Sequence, residues 1–149
     1  MRRGLGVKAI RMGLTLGLAL AMAGCATLGG ESAPEAEARV LAQVRLWADS
    51  VQAKDFDGVL ALYSVDFKSK ELKNKPAVRD YLDRVGAAGW LEGVAMDVTG
   101  VKVEHARRGR YIAGPIDITG KFSGTLSYTL VFAQEAGEMK IVSSESSGM

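Results

Sequence analysis

The stretch VLAQVRLWADSVQAKDFDGVLALYSVDF, residues 40–67, decides the fold of this chain. Its first half has apolar residues at the spacing of one helix face: Val40, Val44, Trp47 and Val51. Asp55 is placed to cap a second, shorter helix whose apolar side ends near Tyr63. Two amphipathic helices cannot bury their apolar sides alone, so the remaining chain is expected to cover them.

Helix-capping patterns before and after this stretch predict where the first helix begins and that a third helix follows. Ser32 followed by Glu35 forms a capping-box pattern, which predicts that the first helix begins near Pro34. Asn74 as cap and Pro76 in the first turn predict a third helix. Its apolar stripe carries Val78, Tyr81, Leu82 and Val85, and Gly86 and Gly89 end it.

From residue 92 the apolar period changes from 3.6 to 2, which predicts strands. Four are expected, at 94–105, 111–119, 122–132 and 139–144. The phase slips at Thr99 and Gly100, which predicts a β-bulge there, and Gly114 with Pro115 interrupts the second strand. Short turns between strands require an antiparallel meander, so the sequence predicts an α+β domain of two layers.

The first 25 residues have the organisation of an export signal. A basic segment precedes an apolar core, residues 12–23, which is shorter than the roughly 20 residues that span a bilayer. The run Ala-Met-Ala-Gly-Cys at 21–25 resembles the lipobox of bacterial lipoproteins, although Met22 stands where that family most often has Leu. The resemblance implies lipidation of Cys25 and, because Ala26 follows, sorting to the outer membrane with the domain facing the periplasm. The alternative is a plain secretory signal with a chance cysteine.

These observations divide the chain into a signal peptide (1–24), a lipidated tether (25–34), a folded domain (35–145) and a loose polar tail (146–149). The hydrophobic fraction of 48% excludes a wholly disordered chain. Four of the 19 basic residues lie in the signal, which leaves 15 basic against 17 acidic residues, a charge of −2. A domain so close to neutral gives no electrostatic footprint for nucleic acid.

The run Lys-Asp-Phe-Asp-Gly-Val-Leu-Ala-Leu-Tyr-Ser at 54–64, followed by Asp66-Phe67, resembles the SnoaL-like branch of the nuclear transport factor 2-like superfamily. This resemblance implies a cystatin-like cone, in which a bent antiparallel sheet wraps three N-terminal helices and leaves a pocket at its open end. Members include isomerases, dehydratases, polyketide cyclases and binding or accessory modules.

Candidate site residues follow from the resemblance and from the helix and strand patterns. Asp66 and His105 are the candidates for an acid or base; the competing interpretations are a solvated turn aspartate and a buried, hydrogen-bonded core histidine. Aromatic and apolar residues expected in the core or the pocket wall are Trp47, Tyr63, Met96 and Tyr128. No residues have metal-ligand spacing and no phosphate loop is present, so no metal or cofactor is predicted.

Three functional hypotheses remain open. The first is a lipid-anchored, non-catalytic module that binds a small apolar ligand. The second is a small isomerase, cyclase or dehydratase using Asp66 or His105. The third is a homodimer formed through the hydroxyl-rich face of strand three, residues 123–129. The basic runs at 68–75 and 107–110 are interpreted as a solvated loop and turn, with contact to anionic lipid or cell-wall phosphate as the alternative.

Overall fold

The computed structural model describes residues 32–148, and the predicted signal, Cys25 and most of the tether lie outside this range. Three helices come first and five antiparallel strands follow, which confirms the predicted α+β class. The helices are α1 (Ala33–Gln52), α2 (Phe56–Ala61) and α3 (Lys75–Ala87). The strands are β1 (Ala95–Asp97), β2 (Lys102–Ala106), β3 (Arg110–Thr119), β4 (Leu126–Glu135) and β5 (Glu138–Ser147).

The helices begin at the caps that the sequence predicts. The Ser32 N–H donates to the Glu35 carboxylate over 3.2 Å, the return half of the capping box. The Asp55 carboxylate accepts from the Gly58 N–H at 3.0 Å, and the Asn74 side chain accepts from the Ala77 N–H at 2.9 Å. Each side chain satisfies a backbone donor that a helix start leaves unpaired.

One long strand, β3, organises the sheet. Its first half pairs with β2, its second half pairs with β1, and its other edge pairs with β4, which in turn pairs with β5. The far edge, β5, is covered by the segment after α2: the Ser64 N–H donates to the Ile141 carbonyl at 2.9 Å, and the Lys68 N–H donates to Val142 at 3.0 Å. This cover removes an open strand edge.

The hydrophobic core lies between the helices and one face of the sheet. Val40 and Val44 of α1 meet sheet residues that are equally buried, and the largest of these are Ile116, Leu130, Phe132, Met139 and Ile141. Every buried apolar residue among the described ones lies within 36–141, so the domain has a complete core of its own. A segment with its own core is expected to fold without the residues before it.

The strand boundaries differ from the prediction in three places. The predicted first strand is two strands, because the Asp97 carboxylate accepts from the Thr99 N–H at 2.9 Å and from its hydroxyl at 2.6 Å and so forms a turn. β4 begins at Leu126 rather than at 122. β5 continues to Ser147, so the expectation of a loose tail from 146 is wrong for Ser146 and Ser147, which pair with β4.

The predicted bulge at Thr99 and Gly100 is therefore a turn, and the shifts in pairing lie elsewhere. One lies in β3 between Ala113 and Ile116, at the predicted interruption, and a second lies in β5, where Val142 is the extra residue opposite Val131 and Phe132 of β4. Bulges bend strands and increase their twist, so these two positions curve the sheet over the helices.

Candidate functional site

A cavity of about 280 Å³ lies between α1, α3 and the concave face of the sheet. Most of its wall is apolar: Val51, Val59, Val78, Leu82, Val85, Leu91, Val94, Met96, Ile118, Phe122 and Leu126. Trp90 lies in this wall while 58% of its surface remains exposed, which places it at the mouth. The apolar character of this wall follows from the sequence pattern, because the helix stripes and the alternating strands both turn their apolar residues to this side.

The buried and half-buried polar lining is made of hydroxyls and the Trp47 indole. It consists of Tyr63, Tyr81, Tyr128, Ser144, Ser146 and the Trp47 N–H. The Trp47 indole N–H donates to the Tyr63 hydroxyl at 3.2 Å, and its ring lies 5.9 Å from that of Tyr128. No carboxylate, ammonium, guanidinium or imidazole group belongs to the cavity lining formed by residues 32–148. The site therefore presents neutral groups to whatever occupies it.

Burial keeps the phenols protonated. Desolvation raises the pKa of Tyr63 to about 12, although the hydrogen bond from Trp47 acts in the opposite direction. Desolvation also raises the pKa of Tyr128, and the neighbouring Tyr81 adds to this effect. A neutral phenol donates its proton in a hydrogen bond, so Tyr63 and Tyr128 suit a ligand that carries an acceptor oxygen.

One carboxylate is tied to the cavity wall from outside. Ser146 donates its hydroxyl proton to the exposed Glu71 carboxylate at 2.9 Å. This contact joins the end of β5 to the loop before α3. It also orients the Ser146 hydroxyl, whose lone pairs are left for a donor on a ligand.

The structure places Trp47, Tyr63, Met96 and Tyr128 together around the cavity. Asp66 and His105 are elsewhere. Asp66 is exposed in the turn after α2, and its N–H donates to the Ser64 hydroxyl at 3.0 Å. His105 is also exposed and stacks on Tyr111, with ring centres 4.9 Å apart, so the expectation of a buried histidine is wrong.

The reason for the difference at His105 is its place in the sheet. It lies on the same side of β2 as Val103, but it is the last residue but one of that strand, and it is exposed where Val103 is half-buried. Neither His105 nor Asp66 is positioned to exchange a proton with a molecule in the cavity.

Several lining residues were not identified from the sequence. Ser144 and Ser146 line the cavity because the shift between Val131 and Phe132 changes the phase of β5 after Ile141. Two serines in a polar tail give no signal of this role. The helix stripe predicts that Tyr81 is apolar-facing but not that it lines a cavity, and the orientation of Trp90 and Leu91 depends on how α3 meets β1.

Among residues 32–148, no helix is long and apolar enough to cross a membrane. The same range contains no group of three or more His, Cys, Asp or Glu side chains arranged to hold a metal ion.

No protein family and no curated protein matches the sequence. Solved structures do match the fold. An NTF2-like protein of unknown function from Pseudomonas putida is 18% identical, with a TM-score of 0.64 over 80% of this chain and 90% of its own. A protein of unknown function with a cystatin-like fold from Nostoc punctiforme is 9% identical, with a TM-score of 0.63 over 79% and 93%.

A candidate scytalone dehydratase from Novosphingobium aromaticivorans is 10% identical, with a TM-score of 0.61 over 73% of this chain and 80% of its own. The chain spans 40% of the length of a further match, Bd1075 from Bdellovibrio bacteriovorus. At these identities the comparisons show the fold alone, which is NTF2-like and cystatin-like, and a fold does not by itself determine a function.

Proposed function

We propose that this chain is an exported, lipid-anchored binding protein with a SnoaL-like domain, whose cavity holds a small, neutral, mostly apolar molecule bearing an acceptor oxygen. The observation that carries the proposal is a cavity to which residues 32–148 contribute apolar walls and only neutral hydrogen-bonding groups. Ligand pockets typically have this character, with volumes from about 300 Å³ upward. A cavity of about 280 Å³ suits a molecule of roughly two fused rings.

The location rests on the sequence. The lipobox-like run that ends at Cys25 supports lipidation, and Ala26 supports the outer membrane, with the domain in the periplasm. A carrier or accessory protein in that compartment would need a sheltered site but no catalytic group, which agrees with the neutral lining. Catalysis by Asp66 or His105 has no support from the site, because both side chains are exposed outside it.

Binding of 2-acetylnaphthalene tests the proposal. We expect the fragment 27–149 to bind this ketone in isothermal titration calorimetry, and to bind 2-ethylnaphthalene about fivefold more weakly because the latter accepts no hydrogen bond from Tyr63 or Tyr128. The variant Val94→Phe fills part of the cavity and is expected to weaken binding of the ketone at least about tenfold.

The matched control is Val65→Phe, which adds the same atoms at a residue that is 80% exposed and outside the cavity. It is expected to bind the ketone as the wild type does. The proposal fails if the wild-type fragment binds neither naphthalene, or if both phenylalanine variants lose binding equally while keeping the wild-type circular dichroism spectrum.

A further inference from the structure

Three arginines lie on the tight turn between β2 and β3. The turn is a single 3-10 turn, Arg107–Gly109, in which Arg108 has φ of 62° and Gly109 has φ of 67°. Arg107, Arg108 and Arg110 are all exposed, and no acidic residue interrupts the run 105–110. Within residues 32–148, none of the observed ion pairs involves these three side chains. Their charges are therefore presented to the surroundings.

The arginine turn lies at the same end of the domain as the start of α1. Arg110 pairs with Ala133 near the end of β4, so the β2–β3 and β4–β5 turns share one end of the sheet. Arg39, near the start of α1, donates to the carbonyl of Gly137 in the β4–β5 turn. The other end of α1 is close to β1, since the Met96 N–H donates to the Gln52 side chain at 3.3 Å.

This arrangement separates the two functional ends of the molecule. The helix α1 contains 20 residues and is therefore about 30 Å long. The chain enters the domain at the arginine end, whereas Trp90, Val94 and Met96 line the cavity near the opposite end. Residues 26–32 span at most about 25 Å when fully extended, so an anchor at Cys25 keeps the arginine end close to the membrane.

We infer that the arginine turn docks on anionic lipid headgroups and directs the cavity mouth away from the membrane surface. This inference rests on the lipid anchor of the proposed function. Guanidinium groups bind phosphate oxygens with two parallel hydrogen bonds, which suits a phospholipid surface. Each basic residue near such a surface raises affinity by about fivefold.

The acidic residues at this end lie on other elements than the arginine turn, namely Glu35 and Glu37 at the start of α1, Glu104 on β2, and Glu135 and Glu138 beside the β4–β5 turn. Glu135 accepts a hydrogen bond from the Ser64 hydroxyl at 2.5 Å, and Glu138 pairs with Lys140 at 3.1 Å. Lys140, on the same strand, therefore balances the charge of Glu138, whereas the neutral Ser64 hydroxyl leaves the charge of Glu135 in place. Glu104 lies on β2 opposite Ile112, two residues from the end of the strand.

Vesicle sedimentation of the fragment 27–149 tests the inference without the contribution of Cys25. We expect binding to phosphatidylcholine vesicles that contain about 30% phosphatidylglycerol, no binding to pure phosphatidylcholine, and loss of binding at high salt. The triple variant Arg107→Gln, Arg108→Gln, Arg110→Gln is expected to bind about a hundredfold more weakly, as the product of three fivefold effects.

The matched control removes the same charge from the other basic run, in the triple variant Lys68→Gln, Lys70→Gln, Lys73→Gln. These lysines lie beside β5 and the loop before α3, and the control is expected to lose less than about threefold. Equal losses in both variants would overturn the inference, as would equal binding to neutral vesicles. So would a wild-type fragment that binds dextran sulfate but no vesicle.

The two proposals fail in different ways. If the wild-type fragment binds 2-acetylnaphthalene but no anionic vesicle, the docking surface is wrong and the binding function stands. If it binds vesicles but neither naphthalene, the cavity proposal is wrong and the docking surface stands. The arginine variant is expected to keep wild-type affinity for the ketone, because the turn lies outside the cavity.

Discussion

Tyr63 connects the packing of the core with the chemistry of the cavity. Its ring packs edge-on against Phe67 at 4.9 Å, while its hydroxyl accepts from the Trp47 indole and faces the cavity. The hydroxyl still has its own proton to donate, so the same group that satisfies Trp47 can also hold a ligand. Burial of this phenol makes its charged form unfavourable, and this has a consequence for stability.

Stability is expected to fall between pH 10 and pH 12. The pKa of Tyr63 is 10.0 in the unfolded chain and about 12 in the folded protein. In this window the unfolded state loses a proton that the native state keeps, so rising pH favours unfolding. A shift of this size corresponds to about 2–3 kcal/mol, lost progressively up to pH 12. Urea unfolding at a series of pH values measures the loss.

The variant Tyr63→Phe separates this effect from other alkaline titrations. It is expected to lose about 1 kcal/mol at pH 7, where the Trp47 indole N–H has no partner, and to show a smaller further loss between pH 10 and pH 12. A variant with the same alkaline slope as the wild type would show that this phenol is ionised as easily in the native state as in the unfolded chain.

At the scale of elements, glycines distinguish a turn from a bulge. In β3, a Cβ atom added at Gly114 would lie 2.8 Å from the Thr129 hydroxyl oxygen and 3.2 Å from the Tyr128 carbonyl oxygen, so β4 passes too close for a side chain. At Gly100, between β1 and β2, nothing lies within 4 Å of such an atom.

Alanine substitutions at these two glycines are therefore expected to differ. Gly114→Ala should destabilise the protein by about 1–3 kcal/mol, because the strands must move apart at the pairing shift. Gly100→Ala should change stability by less than about 0.5 kcal/mol. Urea denaturation of both variants measures the difference. Equal costs would mean that the strands are continuous at Gly100 and that the sheet bends there.

An element can be predicted from the sequence when the interactions that fix it join residues close together in the chain. The helix starts are predictable because Asp55 and Asn74 act on backbone groups three residues away. The turn after Asp97 is local as well, but the apolar period on both sides of it is also compatible with one bulged strand. The phase of Ser144 is set by the neighbouring strand, and no pattern within β5 records it.

The site shows the same division. Trp47, Tyr63, Met96 and Tyr128 lie on stripes whose apolar side has only one place to go, so their shared location follows from periodicity. His105 continues such a stripe but is exposed near the end of β2. Where a layer ends depends on how α1 crosses the sheet, and residue spacing along one strand does not contain that information.

At the scale of the whole molecule, the predicted homodimer interface is the outer face of the sheet, and this dimer stays a prediction. Ser127 and Thr129 on β4 lie on this face, half-buried by their neighbours, and Ser127 donates to the Asp117 carboxylate at 2.5 Å. This hydroxyl-rich face is the one on which the sequence predicts a homodimer. The cavity is on the opposite face, so pairing of two sheets would leave both cavities open.

The final prediction concerns attachment to the membrane, on which the orientation of the whole molecule depends. Expressed in a Gram-negative host with radiolabelled palmitate, the full chain is expected to take up label and to sediment with the outer membrane, because Cys25 ends a lipobox-like run. Cys25→Ala should take up none. Ala26→Asp should keep the label but move to the inner-membrane fraction, since it creates the retention signal of bacterial lipoproteins. A wild-type chain without label would show a plain secretory signal and would remove the anchor on which the proposed orientation of the arginine turn rests.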